Sequence, residues 1–290
     1  MWGGGGSDAS AASRAVVVIA HPDDEVMFFA PTIRSLTSRP SCAVHVLCLS
    51  SGDFYGLGKR RAAELVRCCG ALGIAESRVV VVEHPQLQDG MGVEWPTELV
   101  AEQVERYVAE HELELVITFD HRGVSGHCNH CDVYRGVRHW WQNYGGDQRA
   151  GSEERERGGG EPRHRPPRRR PASACLTLDT TSVLRKYIGV LDAGVSWFEL
   201  WWGSRSSAGS GGGAREGAGG EMGGLVVITS LSPLAAAATM RAMAMHWSQL
   251  VWYRVLFILF ARYTYVNTLR PMEEGRGDGG MAKSDAKKTR

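Results

Sequence analysis

The feature that most constrains the fold is an alternation of short apolar runs with longer amphipathic ones. Four runs, VVVI at 16–19, AVHVLCLS at 43–50, RVVVVEH at 78–84 and LELVITFD at 113–120, are rich in β-branched residues and show little in/out alternation. Such runs suit strands covered on both faces. Between them lie EVMFFAPTIRSL (25–36), GKRRAAELVRCCGALG (58–73) and TELVAEQVERYVAEH (97–111), all with helical spacing. The order predicts an α/β fold: a doubly wound, mostly parallel, Rossmann-like sheet with right-handed crossovers and helices on both faces. Further on, CLTLD (175–179) and LVVIT (225–229) read as strands. Ser232 and Pro233 open a predicted helix from SPLAAAATM through WYR at 252–254, in which Met240, Met243 and Met245 read as core.

In open sheets of this class ligands bind beyond the carboxyl ends of the strands. Two loops there are unusually polar. The first run leads directly into AHPDDE, which supplies His21, Asp23, Asp24 and Glu25; the fourth leads into HRGVSGHCNH, which supplies His121, His127 and His130. A His and a carboxylate from the first loop with a His from the second make a three-ligand set of the kind catalytic zinc uses, with a position open for water. Fe(II), Mn(II) and Co(II) are compatible alternatives. Adjacent Asp side chains project differently, so one can ligate while its neighbour Asp23 serves as general base. His127 can face the oxygen that turns anionic when a carbonyl is attacked. Cys128 and Cys131 compete as ligands, but Cys68 and Cys69 lack the spacing of a second structural zinc pair.

These residues also carry a family resemblance. AHPDDEVMFF, GLGKRRAAEL, DGMGVEW, VITFDHRGVSGHCNH, SVLRKYIGVLD and MHWSQLVWYRVLFILFARYTYVNTL are similar to stretches of the LmbE-like deacetylases, and among them of the N-acetylglucosaminyl-phosphatidylinositol (GlcNAc-PI) de-N-acetylases. The resemblance implies a zinc-dependent hydrolase that removes an N-acetyl group from GlcNAc-PI during glycosylphosphatidylinositol (GPI) anchor synthesis, at the cytoplasmic face of the endoplasmic reticulum membrane. Carried over residue by residue, it implies His21, Asp24 and His130 as metal ligands, Asp23 as general base and His127 as oxyanion partner. It also implies Arg61 and His246 near the substrate; a surface ion pair of Arg61 with Glu64 is the structural alternative. A soluble deacetylase of a small GlcNAc conjugate and a catalytically silent scaffold are the competing functions.

The expected organisation is a disordered stub at 1–14, a deacetylase domain at 15–269 with low-complexity insertions at about 145–171 and 203–224, and a polar tail at 270–290. A formal net charge of +1 gives no global footprint for nucleic acid. The local basic run RHRPPRRR (163–170), broken by Pro and close to acidic residues, reads as a solvated linker. Seven Cys without a regular framework suit a reducing compartment. The start of the chain has no signal-peptide pattern. The most apolar segment, VWYRVLFILFA at 251–261, is about half the roughly 20 residues of a membrane span. It reads as a core or interfacial helix. Arg262 and Arg270, with Tyr253, Tyr263 and Tyr265, would suit a surface resting on a bilayer. No protein partner is inferable.

Overall fold

A computed structural model describes residues 13–153, 172–196, 198 and 225–272. Its sheet has the order β3 (Val79–Val81), β2 (Ala43–Cys48), β1 (Arg14–Ile19), β4 (Leu115–Phe119), β5 (Ala174–Leu178), β7 (Val266–Pro271) and β6 (Val226–Thr229). The first five strands are mutually parallel; β7 runs antiparallel to β5 and β6. The expected α/β class is therefore found, with a mostly parallel sheet. Residues 15–19 of β1 are fully buried, as a central strand of a two-sided sheet requires.

The chain lays β2 and β3 on one side of β1 and then returns to place β4 on the other. The sheet order reverses between β1 and β4, which is where a doubly wound sheet opens a crevice. The two polar loops follow those two strands, so the topology makes them neighbours.

Nine α-helices or helical turns can be named among the described residues: α1 (Asp24–Met27), α2 (Ala30–Thr37), α3 (Gly58–Ala71), α4 (Thr97–Glu110), α5 (Gly123–Gly126), α6 (Cys128–Glu153), α7 (Val183–Lys186), α8 (Pro233–Met243) and α9 (Trp252–Phe260). The predicted helix over 25–36 is broken into α1 and α2. Pro31 has no N–H to offer the Met27 carbonyl and would clash with it, so the helix restarts with Pro in its first turn. The predicted helix from Ser232 is likewise interrupted. Ser232 caps it, accepting from the Leu234 N–H at 3.2 Å, but after Met243 a 3-10 turn at Trp247–Gln249 intervenes before α9. There the Ser248 N–H and hydroxyl donate to buried Glu64 at 3.0 and 2.5 Å, and His246 meets Glu25; these tertiary bonds override a locally helical sequence. Met243 is buried, and Met240 and Met245 lie partly buried against the core.

β7 lies where no strand is predicted, and it takes in Arg270 and Pro271 from the expected tail. Its Asn267 accepts from the Thr32 N–H and hydroxyl and donates to the Phe28 carbonyl, pinning the strand to the α1–α2 corner. Arg14 likewise belongs to β1 rather than to a stub, and α6 continues to Glu153, into the first residues of the expected insertion at 145–171. The rest of that insertion, the second insertion at 203–224, residues 1–12 and the tail beyond 272 lie outside the described residues.

Two side chains expected on a bilayer-facing surface are interior. Arg262 is fully buried, its Nε donating to Asp192 at 2.5 Å and Nη2 to Ser196 and Thr268; Tyr263 is buried beside it. Arg270 is exposed and paired with Asp179 at 2.6 Å. No helix among the described residues is long and apolar enough to cross a membrane.

Candidate active site

The loop after β1 turns sharply at Asp23, whose φ of 128° lies in a region that side chains rarely occupy. Glu25 holds the strained peptide by accepting the Asp23 N–H at 3.0 Å. The turn sends the consecutive carboxylates in different directions. Asp24 folds back on the strand end: its Oδ2 accepts from the N–H groups of Ala20 and His21 at 3.1 and 2.8 Å, leaving Oδ1 facing His130 Nε2 at 3.2 Å. Asp23 points elsewhere, into an ion pair with Arg254 of α9 at 2.7 Å, with Arg61 at 3.6 Å.

The loop after β4 is tied down by Asp120. This buried carboxylate accepts from the Arg122 N–H and from the N–H and hydroxyl of Thr180. The loop then passes Gly123, at φ 58°, where a Cβ would lie 2.7 Å from that of His130. Only glycine fits both the conformation and the space. The His130 Nδ1–H donates to the Gly123 carbonyl at 3.0 Å, which turns Nε2 toward Asp24. The His130 ring stacks on Phe119 with centroids 4.3 Å apart. Across the crevice, His21 Nε2 faces oxygens of Asp89 and Asn129, each at 3.2 Å, so its Nδ1 carries the lone pair, 4.0 Å from Asp24 Oδ2.

His21, Asp24 and His130 thus meet, with Asp24 between the two imidazoles. Two sets among the described residues have ligand atoms that all lie within 4.8 Å of one another: His21, His127 and His130 in the crevice, and Glu25, Cys68 and His246 buried behind it. His127 nevertheless differs from His21 and His130. Its Nδ1 accepts from the Asn129 N–H at 3.3 Å, which puts its own proton on Nε2 and makes that atom a donor rather than a ligand. Burial, reinforced by His21 and His130, pushes the His127 imidazole down to about 4, so it is neutral at pH 7.

The carboxylates are tuned apart. Burial raises the Asp23 carboxyl above its ordinary value although Arg254 and Arg61 oppose this. For Asp24, burial is outweighed by the charge and hydrogen bond of His130 and by His21, which hold it well below the usual carboxylate range. The two adjacent carboxylates therefore differ: Asp24 stays an anion, and Asp23 is the stronger proton acceptor.

Arg61 is buried, and the alternative pair with Glu64 does not form; Glu64 bonds Arg60 and Ser248 instead. Its guanidinium donates to the carbonyls of Gly52 and Pro22 at 2.7 and 3.0 Å and to Asp89 at 3.2 Å. His246 does not reach the open side of the site. It is fully buried with Nε2 2.6 Å from Glu25, so it braces the residue that braces Asp23 instead of lining a substrate path. His121 is exposed and turned toward Tyr134, outside the site. Cys128 is occupied with Gly90 and Gly92. A polar cavity of about 490 Å³ lies beside the site beyond β2 and β3, lined by Ser50, Asp53, Lys59, His84 and Gln88 among others.

Asp89, Asn129 and Arg254 escaped the sequence reading. Asp89 stands in DGMGVEW, a segment without regular periodicity, and only its loop's return across the sheet end brings it to His21. Asn129 lies between His127 and His130, and that position was its one available signal. Arg254 is the one charge in the apolar run VWYRVLFILFA, and nothing local says what it faces.

A donor set of two imidazoles and a carboxylate, each oriented by a second hydrogen bond, fits a divalent ion of the zinc, iron or manganese type. Comparison with known proteins agrees with a deacetylase architecture. Residues 16–141 match the family model PIG-L, described as GlcNAc-PI de-N-acetylase. The N-acetylglucosaminyl-phosphatidylinositol de-N-acetylase of Bos taurus is 34% identical over 250 residues, covering 86% of this chain and 80% of that protein. A probable N-acetylglucosaminyl-phosphatidylinositol de-N-acetylase of Dictyostelium discoideum is 30% identical over 268 residues, covering 86% and 90%. Among solved structures, the N,N'-diacetylchitobiose deacetylase of Pyrococcus horikoshii superposes with a TM-score of 0.55 at 14% identity, covering 91% of this chain and 85% of that one. A deacetylase of the teicoplanin biosynthetic pathway superposes with 0.54 at 14% identity, covering 91% and 100%. These two likenesses concern the fold.

Proposed function

The chain belongs to the GlcNAc-PI de-N-acetylase family, and on that premise we propose that it hydrolyses the acetamide of GlcNAc-PI to acetate and the free amine in GPI anchor synthesis. The observation that carries the reading is the contact of Asp24 with His130, with His21 alongside and Asp23 turned away from them on the adjoining side of the same loop.

His21, Asp24 and His130 would hold the metal, for which zinc is the proposed ion. Such an ion supplies Lewis acidity, polarising an amide carbonyl and lowering the pKa of a water toward ~7. Asp23 takes the proton of the attacking water, and the hydroxyl adds to the carbonyl carbon. The His127 Nε2–H donates to the oxygen that becomes anionic. Asp23 then returns the proton to the nitrogen as the C–N bond breaks, because an amine leaves readily only when protonated. Arg61 and Arg254 keep Asp23 in place. The work would be done at the cytoplasmic face of the endoplasmic reticulum, where the protein meets a lipid-borne substrate.

Acetate release from GlcNAc-PI compared with a water-soluble GlcNAc-inositol tests this reading. Preference for the lipid is expected. Equal or better use of the soluble compound would make the protein a small-conjugate deacetylase, and no release from either would leave the scaffold.

A further inference from the structure

The helix α9 is apolar on both sides. Its inner side carries Ile258, buried in the core, and Arg254, which reaches Asp23. Its outer side exposes Trp252, Tyr253, Leu256, Leu259 and Phe260, with Trp252 at 74%. Positions 252, 256 and 259–260 follow helical spacing, so they form one continuous stripe, and no charged side chain interrupts it. An apolar stripe on a helix belongs against another apolar body, and among the described residues none covers this one.

The stripe is extended by the segment around α7. Tyr187 meets Phe257 edge-on with centroids 6.3 Å apart, and a Cβ at Gly189 would lie 3.2 Å from the Phe260 carbonyl, so this segment abuts α9. It exposes Leu184 at 81% and Leu191. A second apolar group stands on the loops that supply Arg61 and His21 with their partners. Phe54 and Tyr55 follow the Gly52 carbonyl that holds Arg61, and Met91 follows Asp89; all three are exposed. Apolar side chains therefore border the site from α9 and from the loops beyond β2 and β3.

We infer that these two apolar borders are a bilayer-docking surface, with α9 lying in the interface and Arg254 linking it to Asp23. The inference rests on the glycolipid reading above, since a phosphatidylinositol-borne sugar is met at a membrane surface. Three features favour lipid over a protein partner. The exposed apolar side chains are spread over α9, the α7 segment and the loops beyond β2 and β3 rather than confined to one helix face. Their aromatic members include Trp and Tyr, whose rings suit the headgroup level. The surface is also continuous, through Arg254, with the residues that would handle the substrate.

The test uses the full chain and vesicles of phosphatidylcholine with phosphatidylinositol. Wild-type protein should float with the vesicles, and brominated phosphatidylcholine should quench tryptophan fluorescence, with most of that quenching lost in Trp252→Phe. The variant Trp252→Ser/Leu256→Ser/Phe260→Ser removes side chains that are already exposed, so it should keep its melting profile. It should bind vesicles at least about tenfold more weakly, the scale expected for removing several large apolar groups from an interface. Its turnover of the soluble substrate should be unchanged and its turnover of vesicle-borne substrate reduced. Phe54→Ser/Tyr55→Ser/Met91→Ser should weaken flotation as well.

Unchanged flotation of the α9 variant, or no flotation and no quenching of the wild type, overturns the inference. So does a wild-type dimer that the α9 variant dissociates without any change in vesicle binding, because the surface then belongs to a second copy. Vesicle binding that follows the pattern above with no acetate from either substrate would sink the proposed function and leave the docking surface standing.

Discussion

Asp24 Oδ1 lies 3.2 Å from His130 Nε2, joining loops that follow two different strands, while Asp24 Oδ2 is held by two backbone N–H groups of the first loop. The carboxylate is thus oriented by its own strand end before any cation arrives, and Asp23 beside it is oriented by α9 and α3.

Because the two carboxylates have different surroundings, their amide variants should fail differently. Asp23→Asn should retain stoichiometric metal and lose roughly two to four orders of magnitude in turnover, the scale of general acid-base catalysis. Asp24→Asn can keep its carbonyl on the Ala20 and His21 N–H groups, but it then turns an uncharged amide nitrogen toward His130. It should lose metal first, and excess metal should restore part of the activity. Bound zinc and acetate release, measured on both variants, check this; a metal-free Asp23→Asn would reverse the two roles. His127→Ala should keep its metal, since its proton sits on Nε2.

Gly123→Ala places a Cβ 2.7 Å from the His130 Cβ on a residue at φ 58°. The strain should cost about 1–3 kcal/mol in stability, and it should loosen the hydrogen bond that fixes the His130 tautomer. Thermal melts with and without added zinc should show a lower Tm and a smaller metal-induced rise than the wild type. An unaltered metal response would mean that the Gly123 carbonyl does not orient His130.

His45 in β2 should make the protein acid-sensitive at a distance from the active site. Burial, together with His111, Arg78 and Arg14, lowers its imidazole to about 4, and its Nδ1 lies 3.1 Å from the Tyr107 hydroxyl. The unfolded chain binds that proton near pH ~6.5, so it holds more protons than the fold between ~6.5 and 4, and stability falls as pH falls through that window. The loss is on the order of 2 kcal/mol at about pH 5. Urea unfolding of wild type and His45→Gln at about pH 5 and 7.5 should show a flatter pH dependence in the variant; parallel curves would remove His45 as the cause.

The amino-acid order by itself determined the sheet and the place of the chemistry. Unalternating β-branched runs between amphipathic helices leave few arrangements other than a two-sided parallel sheet, and AHPDDE and HRGVSGHCNH each follow a strand's carboxyl end, where that fold opens. Those signals are local, carried by composition and spacing over a few residues. What only the tertiary structure decided is nonlocal. The reversal of strand order at β1 and β4 brings the two loops together, Asp89 arrives from a segment with no regular pattern and Arg254 from an apolar helix, and His246 goes inward to Glu25. β7 carries no strand signal, and Arg262 and Tyr263, which by sequence suit a bilayer surface, lie inside, for the same reason. Whether a polar side chain in an apolar stretch faces water or an interior partner depends on what the rest of the chain sets opposite it: Asp192 for Arg262, Asp23 for Arg254.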